Sequence, residues 1–228
     1  MITIPEKRIK NVSIGLPLSW PYIPFLFFNS WTAMIAQSIT KFNIHIIMSS
    51  ATLIETMREE IAKKFLEHGD DCLIWIDADQ IYPPETLIKL VADLETGREI
   101  VGGVTPLKNS GYPSIWTLDK ETGLYNLDKD FEVNRGLIKV DVCGGGGLAV
   151  SRSVYERIKP PYYERMLNYD KESLLGEDLS FFRRCQEKNI SVWCDTDLLY
   201  QHIMPYAISV YDPLFLDWNK LELREKEK

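Results

Sequence analysis

A basic surplus is missing from this sequence. Its 228 residues carry 26 Lys and Arg against 33 Asp and Glu, a formal net charge of -7, so it lacks the cationic footprint that nucleic acid demands. Nucleic acid is set aside as the main partner. Cysteine is scarce: Cys72, Cys143, Cys185 and Cys194 form no CxxC pair, and no secretory leader stands before them. They read as reduced core residues of a cytoplasmic protein, with no zinc site in their spacing. No apolar run reaches membrane length without interruption. The most apolar early stretch, 22–39, is broken by Pro24, Asn29, Ser30 and Gln37. It reads as a buried helix rather than a transmembrane span, with peripheral membrane association left open. A phosphate-cradling loop of spaced glycines ending in lysine is also absent.

What is present is globular composition, 45% hydrophobic and 26% charged, in a chain long enough to bury a substantial core. The most telling stretch is 71–84. Residues 73–76 (Leu-Ile-Trp-Ile) have the length and content of a fully buried strand, and they run straight into Asp77 and Asp79. Two acids at the carboxyl end of a strand stand where open α/β sheets hold their ligands. Like charges so close are costly unless a cation or donor groups lie between them. The alternative is that Asp79 opens a turn and caps the next helix, which would leave Asp77 without a purpose.

Strand and helix patterns alternate on both sides of this stretch. Residues 11–17 read as a first strand ended by Pro17, 25–40 as a helix and 43–48 as a second strand. His45, within that second strand, reads as a satisfied sheet residue rather than a ligand, since no second ligand is evident near it in the sequence. A second helix follows, with Thr52 and Glu55 at capping-box spacing and Leu53, Met57, Ile61 and Phe65 as its buried stripe. Gly69 ends it. Arg58 on this helix reads as a surface cation, or alternatively as a group that reaches a phosphate. Residues 84–94 form a third helix and 99–104 a further strand. Three rounds of strand and helix predict a parallel sheet covered on both faces.

From 105 to 142 the pattern changes to short antiparallel strands and loops. Trp116 is there either a half-buried sheet residue or a platform for a sugar face. Gly144, Gly145, Gly146 and Gly147 are expensive in backbone entropy, so a ligand or a neighbouring segment must approach closely. A short helix spans 153–158, and the tyrosine-rich segment 162–172 reads as a polar loop over a site. Glu177 and Asp178 open another helix. The strand from 191 leads through Asp195 to Leu199, His202 follows, and the chain turns charged after Asp212.

In order, Asp77–Ala78–Asp79, the glycine turn, Gly176–Glu177–Asp178 and the closing strand with His202 resemble the nucleotide-sugar-dependent glycosyltransferases of the GT-A fold, especially those related to family 2. The resemblance spans roughly residues 10 to 205. It implies an α/β, Rossmann-like fold with a mostly parallel central sheet flanked by helices and a small antiparallel sheet on the acceptor side. Residues 1–215 would be one domain, with about 1–105 as the nucleotide-binding half, about 106–215 as the acceptor and catalytic half, and 216–228 as a charged tail.

The resemblance also implies roles. Asp79, Asp77 and His202 would hold Mn2+ or Mg2+, Asp178 would be the general base, and Glu177 would touch the acceptor or orient Asp178. Asp77, Pro17, Arg58, Gly145, Gly146 and Gly147 would line a UDP- or GDP-linked sugar. The acceptor would be a carbohydrate, a lipid-linked group or a protein. In place of the family's acidic, serine-containing signature after the second strand stands Met48–Ser49–Ser50–Ala51. The rival readings are a sugar-phosphate nucleotidyltransferase, which needs a glycine-rich loop where 16–20 stands, and a silent nucleotide- or carbohydrate-binding module.

Overall fold

Three β-branched and apolar runs become adjacent parallel strands: β1 (Asn11–Pro17), β2 (Asn43–Ser49) and β3 (Cys72–Trp75). The computed structural model describes residues 8–19, 22–167, 174–204 and 206–209. The charged tail expected over 216–228 and the 168–172 part of the tyrosine-rich segment lie outside them. Helix α1 (Phe25–Ser38) joins β1 to β2, and α2 (Ile54–His68) joins β2 to β3. A short β4 (Gln80–Ile81), α3 (Thr86–Glu95) and β5 (Ile100–Val104) follow. Then come β6 (Trp116–Leu118), β7 (Tyr125–Leu127), β8 (Leu137–Val140), β9 (Leu148–Ser151) and α4 (Arg152–Ile158). The last described elements are β10 (Met166–Leu167), β11 (Leu174–Leu175), α5 (Glu177–Glu187), β12 (Val192–Leu199), β13 (Gln201–Met204) and β14 (Tyr206–Ser209).

The central sheet has the order β2-β1-β3-β9-β5-β12-β8. It is mixed and mostly parallel: β9 runs antiparallel to both β3 and β5, and β8 is an antiparallel edge on β12. The mostly parallel sheet expected from the sequence is thus present, with β1, β2 and β3 parallel to one another and β5 parallel to β12, and β9 runs against its neighbours between them. The reason is local. The glycine turn enters the sheet at its carboxyl edge, where Gly147 N–H donates to the Trp75 carbonyl at 2.8 Å, and from there the chain can only run back down.

Both faces are covered. Along β3, Leu73 and Trp75 join one core with Ile61 and Phe65 of α2, Tyr155 of α4 and Phe181 of α5. Cys72 and Ile74 join the other with Phe27 and Met34 of α1 and Leu87 and Leu90 of α3. Period-two alternation with neither face polar is the mark of such a central strand. All four cysteines are buried and free. Among the described residues no helix is long and apolar enough to cross a membrane.

Several local expectations change. The Thr52 capping box does not form: Leu53 takes the N-cap position of α2 without a side-chain bond and is 53% exposed, and Glu55 pairs with Arg165 at 3.3 Å instead. Helix α1 is buried on one side only, since Phe25, Leu26 and Phe28 face outward. Within the tyrosine-rich segment Tyr162 and Tyr163 are buried, and β10 pairs with β11. Trp116, by contrast, is the half-buried sheet residue that one of its two sequence readings expects, and it lines a separate cavity of about 370 Å3 with Asp128 and Lys139.

Candidate active site

The strand carrying the acidic pair ends at Trp75, and Tyr82 closes the turn that follows. Asp77 N–H donates to Tyr82 Oη at 2.9 Å, and the Tyr82 hydroxyl donates back to the Asp77 carbonyl at 3.3 Å. The two carboxylates therefore leave the strand and take different partners. Asp77 Oδ1 accepts from Arg58 Nη2 at 3.1 Å, whereas Asp79 pairs with Lys108. Just beyond, β4 pairs antiparallel with β13 in a register that sets His202 opposite Gln80. Ile203 N–H donates to the Asp79 carbonyl at 2.8 Å, so pairing of these short strands is what carries His202 to the acids.

Arg58 is buried, 4% exposed, which corrects the expectation of a surface cation. It stands three and four residues before Ile61 and Ala62, on the buried side of α2. Its guanidinium lies over the Trp75 ring, 5.0 Å from the centroid, and its Nε lies 3.5 Å from Glu177 Oε1. Burial opposes that charge, but Asp77 and then Glu177 more than offset it and raise its pKa. A chain of aromatic contacts fixes the arrangement. Trp75 Nε1 donates to Tyr155 Oη at 3.0 Å, the Tyr155 and Tyr163 hydroxyls lie 2.9 Å apart, and Tyr163 stacks on Phe181 of α5. Helix α5 thereby presents Glu177 and Asp178 beside Arg58.

Burial is the main influence pushing the Asp77 and Glu177 carboxyls above their ordinary range. Arg58 pulls both down, while Asp79 and Asp178 add repulsion to Asp77 and Glu177 respectively. His202 Nδ1 lies 2.5 Å from the Pro106 carbonyl, and its Nε2 lies 3.2 Å from Gln80 Nε2. A carbonyl only accepts, so Nδ1 carries the proton and Nε2 presents its lone pair. Burial lowers the His202 pKa against the pull of Asp79, which favours this neutral form.

Each glycine of the turn has its own neighbour. A Cβ on Gly145 would meet Arg58 Nη2 at 3.3 Å and Asp178 Cβ at 3.6 Å, and one on Gly146 would meet Asp77 Oδ2 at 2.8 Å. Gly147 has φ +68, and a side chain there would overlap the Tyr200 ring. Pro17, Arg58, Asp77, Asp79, Gly145, Gly146, Glu177, Asp178 and His202 all line one cavity of about 890 Å3. It opens at the carboxyl ends of β1 and β3, from which the strand order runs outward in both directions, the usual place for a ligand in such a sheet.

Residues 65–159 match the family model for glycosyl transferase family 2. This stretch, less than half of the chain, resembles a glycosyl transferase family 2 domain. It includes Asp77, Asp79 and the glycine turn, whereas Arg58, Glu177, Asp178 and His202 lie outside the matched residues and reach it through the fold. The structure is similar to that of A197 from STIV, with a TM-score of 0.64 at 19% identity over 90% of this chain and 92% of that one. It is also similar to residues 1–349 of TarS from S. aureus, solved in complex with UDP-GlcNAc. There the TM-score is 0.51 at 12% identity, over 84% of this chain and 58% of that one. At such identities the likeness is one of fold, an α/β GT-A-like architecture. No curated protein matches the sequence significantly.

Two further residues singled out in the sequence lie away from the cavity. Gly147 packs against Tyr200 and does not line the cavity; Gly144, beside Thr105, does. Trp116, the half-buried sheet residue of one of its two sequence readings, lines the other cavity. Sequence reasoning passed over Gln80, Thr105 and Lys108, which also line the site. Gln80 follows Asp79 directly and was open to notice, whereas Lys108 carries no local pattern that would single it out.

Proposed function

We propose that this protein is a family 2 glycosyltransferase, moving a sugar from a nucleoside-diphosphate donor to an acceptor hydroxyl with inversion at the anomeric carbon. The supporting observation is convergence: Asp77 and Asp79 after β3, Asp178 on α5 and His202 on β13 line a single cavity with a buried guanidinium in its wall. UDP-GlcNAc, the ligand named with TarS, is the first donor to test, followed by other UDP- and GDP-sugars. The acceptor is a carbohydrate, a lipid-linked group or a protein.

Asp178 serves as the base. Its Oδ1 accepts the Leu179 N–H at 2.7 Å, which holds the carboxylate at the amino end of α5, on the cavity wall with Gly145. The acceptor hydroxyl gives its proton to this carboxylate as its oxygen bonds to the anomeric carbon, and the bond from that carbon to the diphosphate breaks. Glu177, held by Arg58, contacts the acceptor or keeps Asp178 in place. Asp77, pinned by Arg58 and its own peptide clamp, faces the ribose. Lys108, on the loop beside the cavity, can release Asp79 and turn to the diphosphate.

A divalent ion fits this arrangement. The side-chain donors are His202 Nε2, whose lone pair now accepts from Gln80 Nε2, and the half-exposed carboxylate of Asp79, now matched by the exchangeable ammonium of Lys108. Among the described residues Asp77, Asp79 and His202 do not bring their ligand atoms within 4.8 Å of one another as a set, so substrate phosphate oxygens would complete the shell, as is common for Mg2+. Bound there, Mn2+ or Mg2+ would stabilise the charge that grows on the leaving diphosphate.

The test is release of nucleoside diphosphate from a donor panel. Asp178→Asn is expected to lower turnover by roughly a hundred- to ten-thousandfold, the usual contribution of a positioned base, and Asp79→Ala or EDTA to abolish it. Full turnover in either variant would reject the assignment.

A further inference from the structure

We propose that His45, His68 and Asp70 form a second metal site, one that takes a zinc-class divalent ion and lies away from the sugar-nucleotide cavity. None of the three lines that cavity. They come from three elements: His45 from β2, His68 as the last residue of α2, and Asp70 just after the left-handed turn at Gly69, φ +83. That turn reverses the chain immediately after the helix and delivers Asp70 to the side of the sheet where Ser13 of β1 pairs with His45 in register. The ligand atoms of the three all lie within 4.8 Å of one another. The imidazoles meet edge to face with centroids 5.5 Å apart.

The charge balance at Asp70 favours a cation. Its side chain is 3% exposed, and a buried carboxylate is costly unless paired. Ser13 Oγ donates to Oδ2 at 2.5 Å, and His45 Nδ1 lies 2.9 Å from Oδ1 and 2.8 Å from Oδ2. Among the described residues no lysine or arginine forms an ion pair with it. An imidazole supplies a counter-charge only when protonated, whereas a divalent ion supplies one permanently. Ser13 orients the carboxylate through one oxygen, as outer-shell partners of metal ligands do, and Oδ1 stays on the side of the imidazoles.

Two nitrogens and one carboxylate oxygen are a donor set that suits zinc, with solvent at the fourth position. Ligands about 2.1 Å from a tetrahedral ion stand roughly 3.4 Å apart, so the His45–Asp70 contact need open by only about half an ångström. The edge position of β2, hydrogen-bonded to β1 alone, allows that adjustment. The bound ion would tie the end of α2 to both β2 and Asp70.

The experiment titrates the metal-stripped full chain with Zn2+ by calorimetry, and with Co2+ while its visible absorption is followed. One equivalent is expected to bind, to raise Tm, and to bind equally in Asp79→Ala, which separates this site from the cavity acids. His68→Gln, at an exposed helix end, and His45→Gln should each lower the affinity by at least roughly ten- to a hundredfold, since losing a ligand costs no less than losing an outer-shell partner. His68→Gln should keep the parent Tm in EDTA. Absence of zinc binding, or equal binding by the His45→Gln/His68→Gln double variant, would overturn the proposal.

Discussion

Asp93 on α3 carries an Oδ2 that is buried and has no hydrogen-bond partner. Burial, and then repulsion from Asp195, pushes its carboxyl up to about 6, with Lys89 and Arg98 offsetting only part of the effect. Because the folded state holds this proton more tightly than the unfolded chain, ionised Asp93 disfavours folding above about pH 6, and the penalty fades as pH falls towards the ordinary carboxylate value of 3.8. Asp93→Asn is therefore expected to raise Tm at pH 7.5 and to give a much smaller gain at pH 4.5. Thermal melts of both proteins at the two pH values check this. Arg58 shows the opposite case, in which paired carboxylates support a buried charge. Its identity was plain in the sequence, but its burial depends on Asp77 and Glu177, which stand 19 and 119 positions further along the chain.

Helix α1 separates local pattern from packing. Its sequence is apolar most of the way round, which reads as burial, yet only Phe27, Ser30, Met34 and Ser38 are covered, while Phe25 and Phe28 are 77% and 56% exposed. The helix meets α3 and β4 along one side only, and nothing in the composition of its outer side announces that. Phe27→Ala is expected to cost about 3–5 kcal/mol through lost burial and the cavity left behind. Phe28→Ser should stay within about 0.5 kcal/mol. Urea unfolding of the two variants measures the difference, and equal losses would contradict this account of α1. Helix α2 departs from local pattern at its start too, where a well-spaced capping box does not form and Glu55 pairs with Arg165 from a distant loop.

For the molecule as a whole, the proposed donor should act as a ligand of the folded state alone. At a hundred times Kd it would add about 2.7 kcal/mol of stability. A rise in Tm with UDP-GlcNAc or another nucleotide sugar plus Mn2+, lost in Asp79→Ala, is the expected result across a donor panel. The identity of the elements was legible along the chain because period-two and helical spacing are local properties: 73–76 could only be a central strand, and Leu87, Leu90, Val91 and Leu94 only one face of a helix. The acidic pair at a strand end was legible for the same reason. The reversed direction of β9, the pairing of β4 with β13 that brings His202 to the acids, the burial of Arg58 and the meeting of His45 with His68 and Asp70 were decided by tertiary structure. Each depends on contacts between segments distant in sequence or reversed by a turn, and the energy of such contacts leaves no periodic trace in either partner.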